Sequence, residues 1–370
     1  MKKLFGILGI LLFIYFGINT VRSYGLYYFV KEYGFGWSTG MFQENDQYGF
    51  KLHAKNRGYQ MTKQNTRITV LTGEWGNRVD SLSFINKSKD TPQFLFIGDS
   101  FVFGHRCIAE QSFPYLVGQK LNKSIVNTGV SSYGFSQMQM TLTDFLEHHS
   151  PEKVFIQYSP WLAERSANWY VDVLVGLIPI PYYYQENEKI LIHPPVYQSK
   201  MIGPDVELFR GNGQSAGDFI KFIFNVSLPI FLPDDYNFIV TQLKFLFGIL
   251  PKPLTDQVMI DKYVLNQMAN ACNEKGVKPI FLFMANDWGN NHSDLKDLLQ
   301  DKAEIIDIDS ALRSKLTEDT EAAYNRAYCF WGGENNEILE DTHPNPDAHQ
   351  LMSEIVSLAI APDSVVAEKQ

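Results

Sequence analysis

Three residue types that can share one proton-transfer task stand far apart in the chain: the serine of Gly98-Asp99-Ser100, and the aspartate and histidine of Asp341-Thr342-His343. A serine hydroxyl is a weak nucleophile, so Ser100 needs a base within hydrogen-bond reach and a third group to fix the tautomer of that base. This pattern predicts Ser100 as nucleophile, His343 as general base and Asp341 as orienting acid. Each residue also has a plainer use. Ser100 could cap the helix after it and His343 could pack in a loop, while Asp99 is expected to shape the turn by local hydrogen bonds. His349 is expected to pack on the final helix or cap it.

The elements around these residues must bring them together. FLFIGDSFVFG (Phe94 to Gly104) reads as an apolar strand running into a tight turn, and ligand sites in open parallel sheets form at the carboxyl ends of strands. A helix opening just after Ser100 would aim N–H groups at developing negative charge. From Pro92 onward apolar strands alternate with helical stretches, the pattern of βαβ units. The predicted strands are Gln93 to Ile97, Ser124 to Asn127, Lys153 to Tyr158, Pro279 to Met284 and Glu304 to Ile308. Helices are predicted at Ser112 to Leu121, Phe135 to His149, Thr255 to Lys275 and Asp294 to Lys302. Asn345-Pro346-Asp347 marks the start of a last helix. The fifth strand and its neighbours would then carry the Asp341-His343 loop over the sheet edge where Ser100 stands.

Other segments depart from that rhythm. Residues 24–91, rich in Gly, Asn, Thr and Tyr, predict an irregular β-containing cap. Residues 163–253 read as an insertion with a hairpin turned at Glu186-Asn187-Glu188. Its stretch Phe219 to Leu232 is apolar but interrupted by Lys221, Asn225 and Pro229, which predicts a packed lid or membrane-facing surface rather than a second span. Residues 362–370 are expected to form a flexible tail. At the amino terminus Lys2 and Lys3 precede an uncharged run, Leu4 to Val21, that ends at Arg22. A helix of that length nearly crosses a hydrocarbon layer of about 30 Å. It predicts a single-pass anchor over residues 1–23 with the lysines cytoplasmic and the rest of the chain outside. A cleaved signal peptide is the rival, although Ser23-Tyr24-Gly25 is a poor cleavage site.

Composition narrows the function classes. Hydrophobic residues make up 45% of the 370, enough for a real core. The net charge of -9 and the lack of a basic patch argue against nucleic acid. The His residues form no HExxH or other ligand set, and neither GxxxxGK[ST] nor GxGxxG follows a strand, so no metal and no nucleotide cofactor are predicted. Cys107, Cys272 and Cys329 form no CxxC pair and read as buried thiols, with one disulfide left open in an oxidising compartment.

Three blocks in order, GDSFVFG, NTGVSSYGFSQ (Asn127 to Gln137) and DTHPN, resemble the SGNH hydrolases, also called GDSL esterases and lipases. The resemblance covers about Asp46 to Ala361, since QYGFKL and NRVDS are similar to the extension of membrane-anchored bacterial members. It implies an α/β fold over residues 92–361: a three-layer α/β/α sandwich with a flavodoxin-like, parallel five-stranded sheet. It also implies a Ser-His-Asp triad acting on carboxylic, chiefly O-acetyl, esters. The oxyanion hole would be formed by the N–H groups of Ser100 and Ser132, the latter standing where the family usually has glycine. Ser159-Pro160-Trp161 stands where the family carries an Asn donor, and Asn286 in MANDW resembles that lost motif after a later strand. D-x-x-H members would place the acid at Glu340, whereas the acetyltransferase-like D-x-H branch fits Asp341, which is favoured. The expected partner is an ester substrate on an envelope glycan, outside the cytoplasm and at the membrane, with no cofactor. A lipid ester is the alternative substrate, O-acyl transfer the alternative reaction, and an inactive binding or assembly protein the alternative class.

Overall fold

The computed structural model describes residues 2–33, 36–38, 40–62, 66–86, 92–173, 176–199, 217, 219–220, 223–224, 228–284 and 292–361. Its strands, in chain order, are β1 (Gly36–Trp37), β2 (Phe42–Asn45), β3 (Gly49–Leu52), β4 (Arg57–Met61), β5 (Arg67–Thr72), β6 (Arg78–Val79), β7 (Phe94–Ile97), β8 (Ile125–Asn127), β9 (Lys153–Tyr158), β10 (Tyr170–Val173), β11 (Gly176–Pro179), β12 (Tyr182–Glu186), β13 (Lys189–His193), β14 (Lys278–Phe283), β15 (Glu304–Asp307), β16 (Phe330–Gly332) and β17 (Ile338–Asp341). Five short apolar strands pair in parallel in the order β8-β7-β9-β14-β15. That is the 2-1-3-4-5 order of a doubly wound sheet, and these are the five predicted strands.

The expectation of a five-stranded sheet is corrected: the main sheet has nine strands. β6 pairs antiparallel with β8 through Arg78 and Asn127, and β5, β4 and β1 continue outward from it. Much of the expected cap is therefore sheet. The physical reason is the edge of β8, whose N–H and C=O groups would otherwise lie open to pairing with another chain.

Alternation along the central strands sends side chains to opposite faces. Leu95, Ile97, Val154 and Ile156 join the helices Phe135–His148 and Gln257–Glu274 in one apolar cluster. Phe94, Phe96, Phe155, Ile280 and Leu282 join the helices Phe113–Leu121 and Pro346–Ile360 in the other. The result is three layers. Phe96 and Phe155 stack with centroids 4.4 Å apart and planes 8° apart, so Phe96→Ala should cost about 3–5 kcal/mol. Because Phe96 lies two residues before Gly98, this packing also fixes where β7 ends.

The hairpin expected at Glu186-Asn187-Glu188 joins β12 to β13, with Asn187 and Glu188 both left-handed at φ +48° and +64°. Asn345 caps the final helix, its side-chain oxygen accepting from the Ala348 N–H at 2.9 Å. All three cysteines are free and buried. The amino-terminal helix runs from Lys2 to Tyr33. Among the described residues, no helix is long and apolar enough to cross a membrane. Met1 and the side chains at 2–5, 8, 11 and 12 of the expected anchor lie outside the described residues. So do Asn286, residues 362–370 and much of the Phe219 to Leu232 stretch.

Candidate active site

The turn after β7 is built around a buried carboxylate. A Cβ on Gly98 would lie 2.3 Å from Val102 Cγ2 and 2.4 Å from Gln157 Oε1, so only glycine fits there. Asp99 is fully buried and accepts from the Phe101 N–H at 2.9 Å, Gln157 Nε2 at 2.9 Å, Trp161 Nε1 at 2.7 Å and Arg165 Nη1 at 2.8 Å. Burial alone would raise its pKa, but the Arg165 charge and these donors hold it below its ordinary value. Asp99 thus shapes the turn as expected, and it also ties β7 to the helix Pro160–Ser166.

Ser100 is the first residue of the short helix Ser100–Phe103, so no carbonyl within the helix receives its N–H. Its hydroxyl oxygen lies 2.9 Å from Nε2 of His343. On the other side of that ring Nδ1 is 2.5 Å from Asp341 Oδ1, which also accepts the His343 N–H at 3.0 Å. β17 ends at Asp341, and the loop to the final helix swings His343 over the carboxyl edge of the sheet. Ser100 is buried, while about a quarter (26%) of the His343 side chain is exposed. Burial would push the Asp341 pKa up, yet the hydrogen bond and charge of His343 keep it well below the usual carboxylate range.

The two candidate acids separate cleanly. Glu340 turns to Arg106, whose Nη2 is 2.8 Å from Glu340 Oε2, with both side chains buried. Arg106 Nη1 is also 3.7 Å from the outer oxygen of Asp341, Oδ2. His105 reaches the same oxygen at 3.6 Å, and its ring stacks on His343. Gln60 Nε2 lies 2.9 and 2.7 Å from the two nitrogens of His105, and Gln60 Oε1 accepts the Arg106 N–H. Burial first, and then the His343 charge, hold the His105 pKa well below its ordinary value, against the opposing pull of Asp341.

His105, Asp341 and His343 also bring three ligand-type atoms within 4.8 Å of one another. Their chemistry fits proton transfer better than cation binding. Both nitrogens of His343 already face Ser100 and Asp341, and a cation on Asp341 would sit beside the Arg106 guanidinium.

No family model matches this chain, and no curated protein does. Among solved structures the chain is similar to a member of the lipolytic protein G-D-S-L family from Veillonella parvula, at 9% identity and a TM-score of 0.34 over 72% of this chain and 97% of that one. An alpha/beta hydrolase enzyme from the metagenome of Lake Arreo, Spain, is similar at 10% identity and a TM-score of 0.37, over 72% and 94%. A carbohydrate esterase family 2 enzyme with a carbohydrate binding domain from Corynascus thermopiles is similar at 10% identity and a TM-score of 0.33, over 81% and 74%. The functional reading rests on the side chains at the sheet edge.

Ser132 holds φ +69°, a left-handed value that glycine adopts without strain and a residue with a Cβ does not. Its loop is laced to the nucleophile turn: the Val130 N–H donates to the Gly98 carbonyl at 3.2 Å and Asn127 Nδ2 to the Val102 carbonyl at 2.8 Å. A Cβ on Gly129 would meet the Phe103 backbone nitrogen at 2.4 Å. The loop therefore packs directly on the helix that Ser100 begins. The polar groups of Ser159 and Trp161 are both engaged within the fold. Ser159 Oγ donates to the Met284 carbonyl at 2.8 Å, and the Trp161 indole is engaged by Asp99. His349 packs as expected, with Nδ1 accepting the Phe113 N–H at 3.3 Å. His105, Arg106, Gln157 and Arg165 were not singled out from the sequence, and Trp161 was noted only within Ser159-Pro160-Trp161. The available signals were that His105 and Arg106 directly follow the Phe94 to Gly104 block and that Gln157 and Arg165 flank the segment at the end of β9.

Proposed function

We propose that this chain is an SGNH-type serine esterase acting on carboxylic esters, with Ser100, His343 and Asp341 as its triad. The observation that carries the reading is the continuous proton path from Ser100 Oγ to His343 Nε2 at 2.9 Å and from His343 Nδ1 to Asp341 Oδ1 at 2.5 Å. Ser100 Oγ attacks the ester carbonyl while His343 takes its proton, and Asp341 stabilises the imidazolium. The N–H groups of Ser100 and Ser132 receive the negative charge that develops on the carbonyl oxygen. Collapse of the tetrahedral intermediate releases the alcohol, protonated by His343, and leaves an acyl-serine. Water, activated by the same histidine, then frees the acid. A sugar hydroxyl in place of that water would make the reaction acyl transfer.

The proposed substrate is an O-acetylated envelope glycan. The proposal also sets the catalytic unit outside the cytoplasm, held by residues 1–23 with Lys2 and Lys3 on the cytoplasmic side. The uncharged run Leu4 to Val21 supports the tether, and Lys2 and Lys3 ahead of it support that orientation.

The test is hydrolysis of p-nitrophenyl acetate, butyrate and octanoate by the full chain in detergent, with acetylated xylan beside them. Fastest turnover is expected on acetate, with release of acetate from the glycan. A preference for octanoate would move the substrate to lipid esters, and absence of turnover on every ester would remove the esterase reading.

A further inference from the structure

Two helices outside the catalytic sheet distribute polarity the wrong way round for surfaces that face water. The insertion helix Leu228–Leu246 and the amino-terminal helix Lys2–Tyr33 meet through polar groups. Arg22 Nη1 is 3.0 Å from Asp235 Oδ1, the Tyr15 hydroxyl donates to Asp235 Oδ2 at 3.1 Å, and the Arg22 guanidinium lies 3.9 Å from the centre of the Phe231 ring. Asn19 and Ser23 are 3% and 0% exposed, and the buried Asp234 accepts from the Ser199 hydroxyl.

The outward faces carry the apolar side chains. On the insertion helix, Leu232, Tyr236, Ile239, Leu243 and Leu246 follow in steps of four, three, four and three, which makes one stripe, and all five are exposed. On the amino-terminal helix Ile10, Phe13, Ile14, Ile18 and Val21 are exposed, Phe13 by 80%. At 3.6 residues per turn they cover a face roughly 140° wide. Apart from the exposed Lys244 in the last turn of the insertion helix, the ionisable groups Arg22, Asp234 and Asp235 are turned from the apolar stripe and partnered, which is what a hydrocarbon surrounding demands. Water demands the reverse.

We propose that the insertion helix is a lipid-facing element, lying in the bilayer interface beside the amino-terminal helix and holding the catalytic sheet against the membrane. The occupant of the stripe is the acyl region of the lipid. Two features favour lipid over a second protein: exposed apolar residues stand on both of two helices joined through Tyr15, Arg22 and Asp235, and one of them carries the uncharged run Leu4 to Val21. The inference rests on the tether proposed above for the first helix and adds a second contact, in the plane of the membrane, from the insertion. It does not depend on the ester chemistry.

The full chain is labelled with an environment-sensitive fluorophore at Leu243→Cys, Phe13→Cys or, as an aqueous control, the exposed Glu318→Cys; the three native thiols are buried. Each is reconstituted into phosphatidylethanolamine–phosphatidylglycerol vesicles with or without bromine on the acyl chains. The Leu243 label is expected to lose about half its emission to brominated lipid, while the Glu318 label responds only to aqueous iodide. Quenching at Phe13 with an iodide-accessible Leu243 label would overturn the inference and leave the tether standing. A Leu243 label shielded from both quenchers would assign the stripe to a protein partner and also overturn it. Absence of lipid quenching at both positions would remove the tether as well.

Discussion

His105 lies almost flat against His343, with ring centroids 4.1 Å apart and planes 26° apart. One imidazole thereby forms a wall for the other. Because burial keeps His105 from gaining a proton, it can fix the plane of His343 without competing for the proton that His343 must move.

Under the proposed triad His105 serves as a positioning residue. His105→Ala is expected to lower kcat on p-nitrophenyl acetate about tenfold with KM little changed, since small misplacements of a base are costly. His105→Phe, which keeps the stacked ring, should recover most of that loss. Equal losses in the two variants would deny the stack its role.

Asp341 and Glu340 should fail in different ways. Asp341→Asn leaves the wrong tautomer on His343 and is expected to cut kcat by about four orders of magnitude with the fold intact. Glu340→Gln leaves the pair between His343 and Asp341 in place but strips the buried Arg106 of the nearer of its two charge partners. That should cost about 3 kcal/mol in urea unfolding, with a far smaller effect on kcat. The opposite pattern would transfer the acid role to Glu340.

Much of this site was legible from short motifs. Gly98-Asp99-Ser100 follows an apolar strand and Asp341-Thr342-His343 precedes a marked helix start, so local signals placed both at the ends of elements. The choice between Glu340 and Asp341 depends on which way each side chain leaves β17, and that is settled by Arg106, far away in the chain. His105 and Gln60 were illegible for the same reason: their roles exist only in contact. The alternating piece Thr66 to Trp75 was legible as strand and became β5, but its membership of the main sheet was not, because that pairing is decided by the open edge of β8 and by pieces as short as Arg78–Val79 that carry no periodicity.

Acid should weaken the fold through His349. Burial lowers its pKa to about 3 from 6.5, so below pH 6.5 the unfolded chain binds a proton that the folded chain refuses. The stability His349 lends at neutral pH is therefore lost progressively as pH falls from 6.5 towards 3. His349→Gln, which can still accept the Phe113 N–H, is expected to flatten the change in urea midpoint between pH 7 and pH 5. An unchanged slope would show that other groups govern it.

Ser132→Gly should stabilise. A left-handed backbone strains any residue with a Cβ, so glycine is expected to raise stability by about 0.5–1 kcal/mol in thermal or urea unfolding. Turnover should persist, because the group assigned to the oxyanion is the backbone N–H. Loss of activity in this variant would mean that the Ser132 side chain itself takes part.

The most direct measurement is covalent trapping. The full chain is treated with a fluorophosphonate and digested, and the modified residue is read by mass spectrometry. A single adduct on Ser100 is expected, formed at least 100-fold more slowly in His343→Ala, since an unassisted serine hydroxyl is a poor nucleophile. An adduct on another residue, or labelling of Ser100 at the same rate without His343, would contradict the proposed triad.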